Sequence, residues 1–128
     1  MANKVKLGQR PKSFKPMAVS FPMPEGGEGT ISCSFKYRTR TEFGQFIDRL
    51  FEEAGEERPV DDKFSMERLM EKTKGKNAEY LMDALDSWDL DEPISLETLT
   101  QLSDELPAAV TSMMERYRSA AVEGRLGN

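Results

Sequence analysis

Histidine is absent from this 128-residue chain, and cysteine and tryptophan occur once each. Without histidine there is no Ser-His-Asp triad, no Cys-His pair and no imidazole ligand for a metal. The lone Cys33 cannot close an intramolecular disulfide or build a thiolate zinc site, and it fits a reducing, intracellular setting. Apolar runs reach only a few residues, too short for a membrane span. The basic N-terminus is not followed by the apolar segment of a secretory signal. What remains is 38% hydrophobic and 32% charged, with eight methionines and a net charge of -5. A chain of this size can bury roughly two-thirds of its unfolded surface, and an acidic total is a poor default for a nucleic-acid binder.

The average charge conceals a split. Residues 1–40 hold eight Lys/Arg against two Asp/Glu, and residues 41–128 hold ten against twenty-one. Such asymmetry marks either a basic arm for nucleic acid or an acidic partner, or a solvated tail beside a hairpin with a basic outer face. No aromatic is interleaved with Lys4, Lys6, Arg10 and Lys12, which favours the solvated tail.

Residues 1–13 are polar and aperiodic and read as a flexible basic tail. From Phe14 the pattern has period two: Met17, Val19, Phe21 and Met23 share one face. After a glycine-rich turn, Ile31, Cys33, Phe35 and Tyr37 share another, with Thr30, Ser32, Ser34, Lys36 and Arg38 opposite. This predicts a β-hairpin over 14–38 with one buried face. Pro16, Pro22 and Pro24 share the parity opposite to the apolar residues. Their missing N–H groups are tolerable only along an outward edge, so the first strand should be a blunted edge. The far edge of the second strand, at Ser32, Ser34 and Lys36, is then the one free to pair between subunits. The turn lacks the order of a phosphate-binding loop and precedes a strand, not a helix.

Residues 39–128 read as about five short helices, giving an α+β fold within a single domain over 14–128. Thr39 and Glu42 have capping-box spacing, and Phe43, Phe46, Ile47, Leu50 and Phe51 form a stripe ended by Gly55. The acidic stretch Glu52–Asp62 reads as a loop. Ser65 caps a short helix from Met66 to about Thr73, and Asn77 caps the next, which carries Tyr80, Leu81, Leu85 and Trp88. Ser95 opens a fourth helix with Leu96, Leu99 and Leu102. Pro107 suits the first turn of the fifth, whose stripe is Val110, Met113, Met114, Tyr117 and Ala121, with Gly124 as its stop.

Nothing in this pattern assembles catalysis. Every carboxylate falls on a polar helix face or in a loop, and no pair stands apart for general acid/base work. Registers starting at Asp86 or Asp89 put Trp88 and Leu90, or Pro93 and Ile94, where a calcium loop needs oxygen ligands or glycine. The expectation is a protein with no enzyme activity, no cofactor and no metal. The methionines carry more information. Core packing accounts for any one of them, yet methionine is also over-used on adaptable binding surfaces. Met66, Met70, Met82, Met113 and Met114, with Trp88 and Tyr117, are therefore the candidate partner-binding residues.

The C-terminal half resembles the tail assembly chaperones of long-tailed phages. The likeness is carried by Trp88 before an acidic link, Pro93-Ile94-Ser95, Leu99, Leu106-Pro107-Ala108-Ala109, Tyr117 and the closing Gly124-Arg125-Leu126-Gly127-Asn128. A hairpin leading into a helix at Thr39 extends it to about Phe14. The resemblance implies a non-enzymatic protein of the infected host's cytoplasm that coats the tape measure protein, keeps it soluble, recruits tail tube subunits, and is absent from the mature virion. It carries over no active site; self-association is the expectation from the second strand's open edge and the methionine-rich helices, no membrane from the short apolar runs, and no nucleic acid from the acidic total. The competing readings are a small nucleic-acid-binding or regulatory protein using the basic first forty residues, which predicts salt-sensitive binding, and a carboxylate enzyme, which predicts a perturbed acid in a pocket.

Overall fold

Alternation gives strands β1 (Met17–Pro22) and β2 (Glu28–Phe35), paired antiparallel from Met17 opposite Cys33 to Pro22 opposite Glu28. The computed structural model describes residues 4–59 and 64–126. Gly26 and Gly27 turn the hairpin at φ of 100° and 73°, a region open to glycine at little cost. The Met23 N–H closes the turn on the Gly27 carbonyl at 3.0 Å. Ser32 directs its backbone N–H and C=O away from β1, toward Asp89. Ala18, Ser20 and Pro22 therefore face β2 in non-hydrogen-bonded pairs. Pro22 removes no ladder bond, and β1 forms the sheet edge expected from the proline parity.

The hairpin is part of a larger sheet. Helix α1 (Arg40–Ala54) starts at the Thr39–Glu42 capping box and stops at left-handed Gly55. Glu52 and Glu53, expected in a loop, form its last turn; the part of that loop at 60–62 lies outside the described residues, as do residues 1–3 of the tail and the closing Gly127-Asn128. Helix α2 (Met66–Lys72) is capped by Ser65, and a 3-10 turn (Lys74–Lys76) leads into helix α3 (Asn77–Ala84). Asn77 is the first residue of α3 and does not cap it.

The helix expected to run through Trp88 ends at Ala84, and Leu85–Trp88 form a third strand, β3. It pairs antiparallel with β2, Cys33 opposite Trp88 and Ser34 opposite Ser87, with a bulge before Phe35 and Leu85. The expectation of an open edge at Ser32, Ser34 and Lys36 is thereby corrected. The Lys36 N–H donates to the Ala84 carbonyl at 2.8 Å, and the Asp89 N–H donates to the Ser32 carbonyl at 3.1 Å. The physical reason is local: Leu85-Asp86-Ser87-Trp88 alternates as well as it winds, and a sheet edge with unpaired backbone groups outweighs weak helix propensity.

Ser95 caps helix α4 (Leu96–Glu105), and Pro107 opens helix α5 (Pro107–Glu123), which ends at left-handed Gly124. Helix α5 packs against β1 as well as α1, α2, α3 and α4. One cluster of buried side chains joins the sheet to all five helices. Burying each large side chain such as Leu50 or Leu99 contributes roughly 1.5–3 kcal/mol.

Ordered contacts also reach back into the expected tail. Ser13 forms a bridge with Lys36, Lys12 accepts from the Tyr37 N–H, and Arg10 pairs with Glu42 at 2.9 Å while lying over the Tyr37 ring.

Candidate functional site

The candidate partner-binding residues divide sharply by burial. Met66, Met70, Met113, Met114 and Tyr117 lie inside the core, so they pack the fold and offer no surface to a partner. The sequence pattern could not separate these roles, since a core stripe and a docking stripe have the same period. Met82 is exposed, and Trp88 is half-buried.

Tyr117 stands at the centre of the core. Its ring stacks on Phe35 with centroids 4.9 Å apart and meets Phe43 edge-on at 5.1 Å. Its hydroxyl donates to the Lys36 carbonyl at 2.9 Å and accepts from Arg38 at 2.6 Å. Burial pushes the phenol above its ordinary pKa, so it remains a neutral donor.

Trp88 borders a groove of about 270 Å³. The β3 ladder brings Trp88 to one wall, and its indole N–H is held by the Glu92 carbonyl at 2.7 Å. Phe21, Met23 and Ile31 from the hairpin form the floor, and Leu102 and Leu106 at the end of α4 form the other wall. Glu92 and Glu105 stand on its rim. Gly29 admits Met23 here: a Cβ on Gly29 would lie 2.5 Å from the Met23 sulfur.

The groove also contains a stretch of strand edge. The Asp89 carboxylate accepts the Ser32 N–H at 2.9 Å, ending the β3 ladder. Thr30 has the same parity as Ser32, so its backbone groups face the side that β3 no longer covers. Thr30 itself is exposed and lines the groove.

A second apolar feature lies where α3 and α4 come together. Met82 is 36% and Leu96 52% exposed, and they share a cleft of about 370 Å³ with Arg49, Lys76, Glu79 and Asp83.

Arg10, Lys36, Arg38 and Arg49 gather around Tyr37, where they hold the fold itself. Arg10 binds Glu42, Arg49 binds Asp83 at 2.6 Å, and Lys36 donates to the Met82 carbonyl at 3.2 Å. Arg38 donates to the Asp83 carbonyl at 2.9 Å and lies 4.5 Å from the Phe46 ring centroid. Cys33 is fully buried, and burial together with the Asp89 charge pushes its thiol up to about 12, so it stays a protonated packing group. Among the described residues no cluster of His, Cys, Asp and Glu could hold a metal, and no helix is long and apolar enough to cross a membrane.

The α+β fold thus carries, among its surface depressions, two with exposed or half-buried apolar side chains, one of them edged by an open strand segment. A model of the phage tail assembly chaperones matches residues 1–128, the whole chain. The protein belongs to that family, whose members assist tail assembly and are non-catalytic in kind. No curated protein and no solved structure matches it.

Proposed function

We propose that this chaperone binds the tape measure protein, keeps it soluble, self-associates along it, and helps recruit tail tube subunits during morphogenesis. It acts in the host cytoplasm and leaves before the virion is mature. The observation that carries this reading is membership of the tail assembly chaperone family across the whole chain.

The Met82–Leu96 cleft is the place where an amphipathic helix of the tape measure protein would lay its apolar face. Exposed Met82 adapts its shape to successive segments, and Arg49, Lys76, Glu79 and Asp83 supply charges of both signs around it. Co-expression of a tape-measure fragment with the wild type and with M82D/L96D tests this. The fragment should be soluble with the wild type and insoluble alone, and the double variant should retain its circular dichroism yet lose most of the solubilisation. A fragment that stays equally insoluble beside the wild type overturns the reading.

A further inference from the structure

We infer that the Trp88 groove takes up the N-terminal arm, Lys4–Leu7, of a second copy of this chain, linking copies head to tail. This deepens the self-association in the proposed function and rests on it.

The arm is built for such a site. Val5 and Leu7 are 84% and 94% exposed, the most exposed large apolar side chains of the described residues. They alternate with Lys4 and Lys6, so an extended arm carries its apolar groups on one face and its charges on the other. The groove complements both: half-buried Met23, Trp88, Leu90 and Leu106 offer apolar surface over a buried floor, and Glu92 and Glu105 offer carboxylates to Lys4 and Lys6. The Thr30 edge offers backbone groups to an added strand, as in other recognition by strand addition.

Geometry makes the donor another copy. Ser13 bridges Lys36 antiparallel and the Tyr37 N–H reaches Lys12, so the chain before Ser13 runs away from Thr30 toward Glu42. Lys36 lies six residues along the strand from Thr30, about 20 Å at the usual rise. From Arg10 an extended chain reaches back about 10 Å to Leu7 and about 17 Å to Val5. The arm of a copy therefore falls short of its own groove. Each copy offers one arm and one groove at opposite ends of β2, and such heterologous contacts grow into rings or filaments.

Light scattering on the full chain, with no tape-measure fragment present, tests this. Wild-type mass should rise with concentration beyond a single chain and fall with added salt. V5D/L7D, which alters only exposed arm residues, and E92K/E105K, which alters the rim, should each stay at single-chain mass. Mixed together they should form pairs and nothing larger, because only one arm and one groove remain intact between them. K4E/K6E combined with E92K/E105K should restore growth. Trp88, the only tryptophan, should shift its emission whenever copies associate. A wild type that is monomeric at every concentration overturns the arm contact and self-association together. A V5D/L7D variant that associates as the wild type does overturns the arm contact alone. Neither result decides tape-measure solubilisation, which co-expression reads separately.

Discussion

The hydroxyl of Tyr117 on α5 donates to the backbone carbonyl of Lys36, 81 residues earlier at the end of β2, at 2.9 Å. This contact joins the last helix to the sheet at the point where the chain leaves β2 for α1. The same hydroxyl accepts from Arg38, whose guanidinium also holds the end of α3 through the Asp83 carbonyl.

Tyr117→Phe keeps the ring packing and leaves the Lys36 carbonyl and one Arg38 N–H without this partner. It should destabilise the protein by about 1–3 kcal/mol. Thermal unfolding should show a lower Tm with an unchanged far-ultraviolet spectrum. An unaltered Tm would remove the hydroxyl from any structural role.

Asp89→Ala removes the acceptor of the Ser32 N–H that ends the β3 ladder. The expected loss is about 1 kcal/mol of stability and faster amide exchange at Ser32, with Leu81 in the core of α3 unaffected. Hydrogen exchange read residue by residue checks this, and equal protection at Ser32 in both proteins contradicts it.

Two methionines should behave oppositely. Met114 is fully buried, so Met114→Ala should cost about 2–5 kcal/mol through lost packing and the cavity left behind. Met82 is exposed, so Met82→Ala should stay within about 0.5 kcal/mol of the wild type. Denaturant unfolding of both variants decides the matter, and a large loss for Met82→Ala would place it in the core.

Glu42 is held below the usual carboxylate range, first by the Thr39 backbone N–H and then by the Arg10 guanidinium. Its folded pKa is thus below its unfolded one. The stabilisation is complete above the ordinary glutamate range and drains away as pH falls through the folded value. Carboxyl chemical shifts should show a depressed midpoint that moves upward in Arg10→Ala. In Glu42→Gln that pH-dependent contribution to stability should vanish.

Short-range chemistry made much of this fold legible. Thr39 with Glu42, Ser65, Ser95, Pro107 and Gly124 set helix ends through their own backbone and side-chain preferences, and the helices start and stop there. The proline parity of β1 likewise foretold an edge strand. Leu85–Trp88 was not legible, because those four residues fit a helix stripe and a strand alternation equally well. The Trp88 groove was hidden for the same reason, since its walls come from residues 21–31, 88–92 and 98–106.

The sequence by itself determined the capped helices, the hairpin, the blunted first edge and the separation of a basic end from an acidic body. Those features depend on neighbours a few residues apart. Tertiary structure alone decided that β3 covers Ser32, Ser34 and Lys36, that Met66, Met70, Met113, Met114 and Tyr117 go inside, and that Met82 and Trp88 stay accessible. The reason is physical. A period states which side chains share a face, but only the packed chain determines whether that face meets a core or solvent.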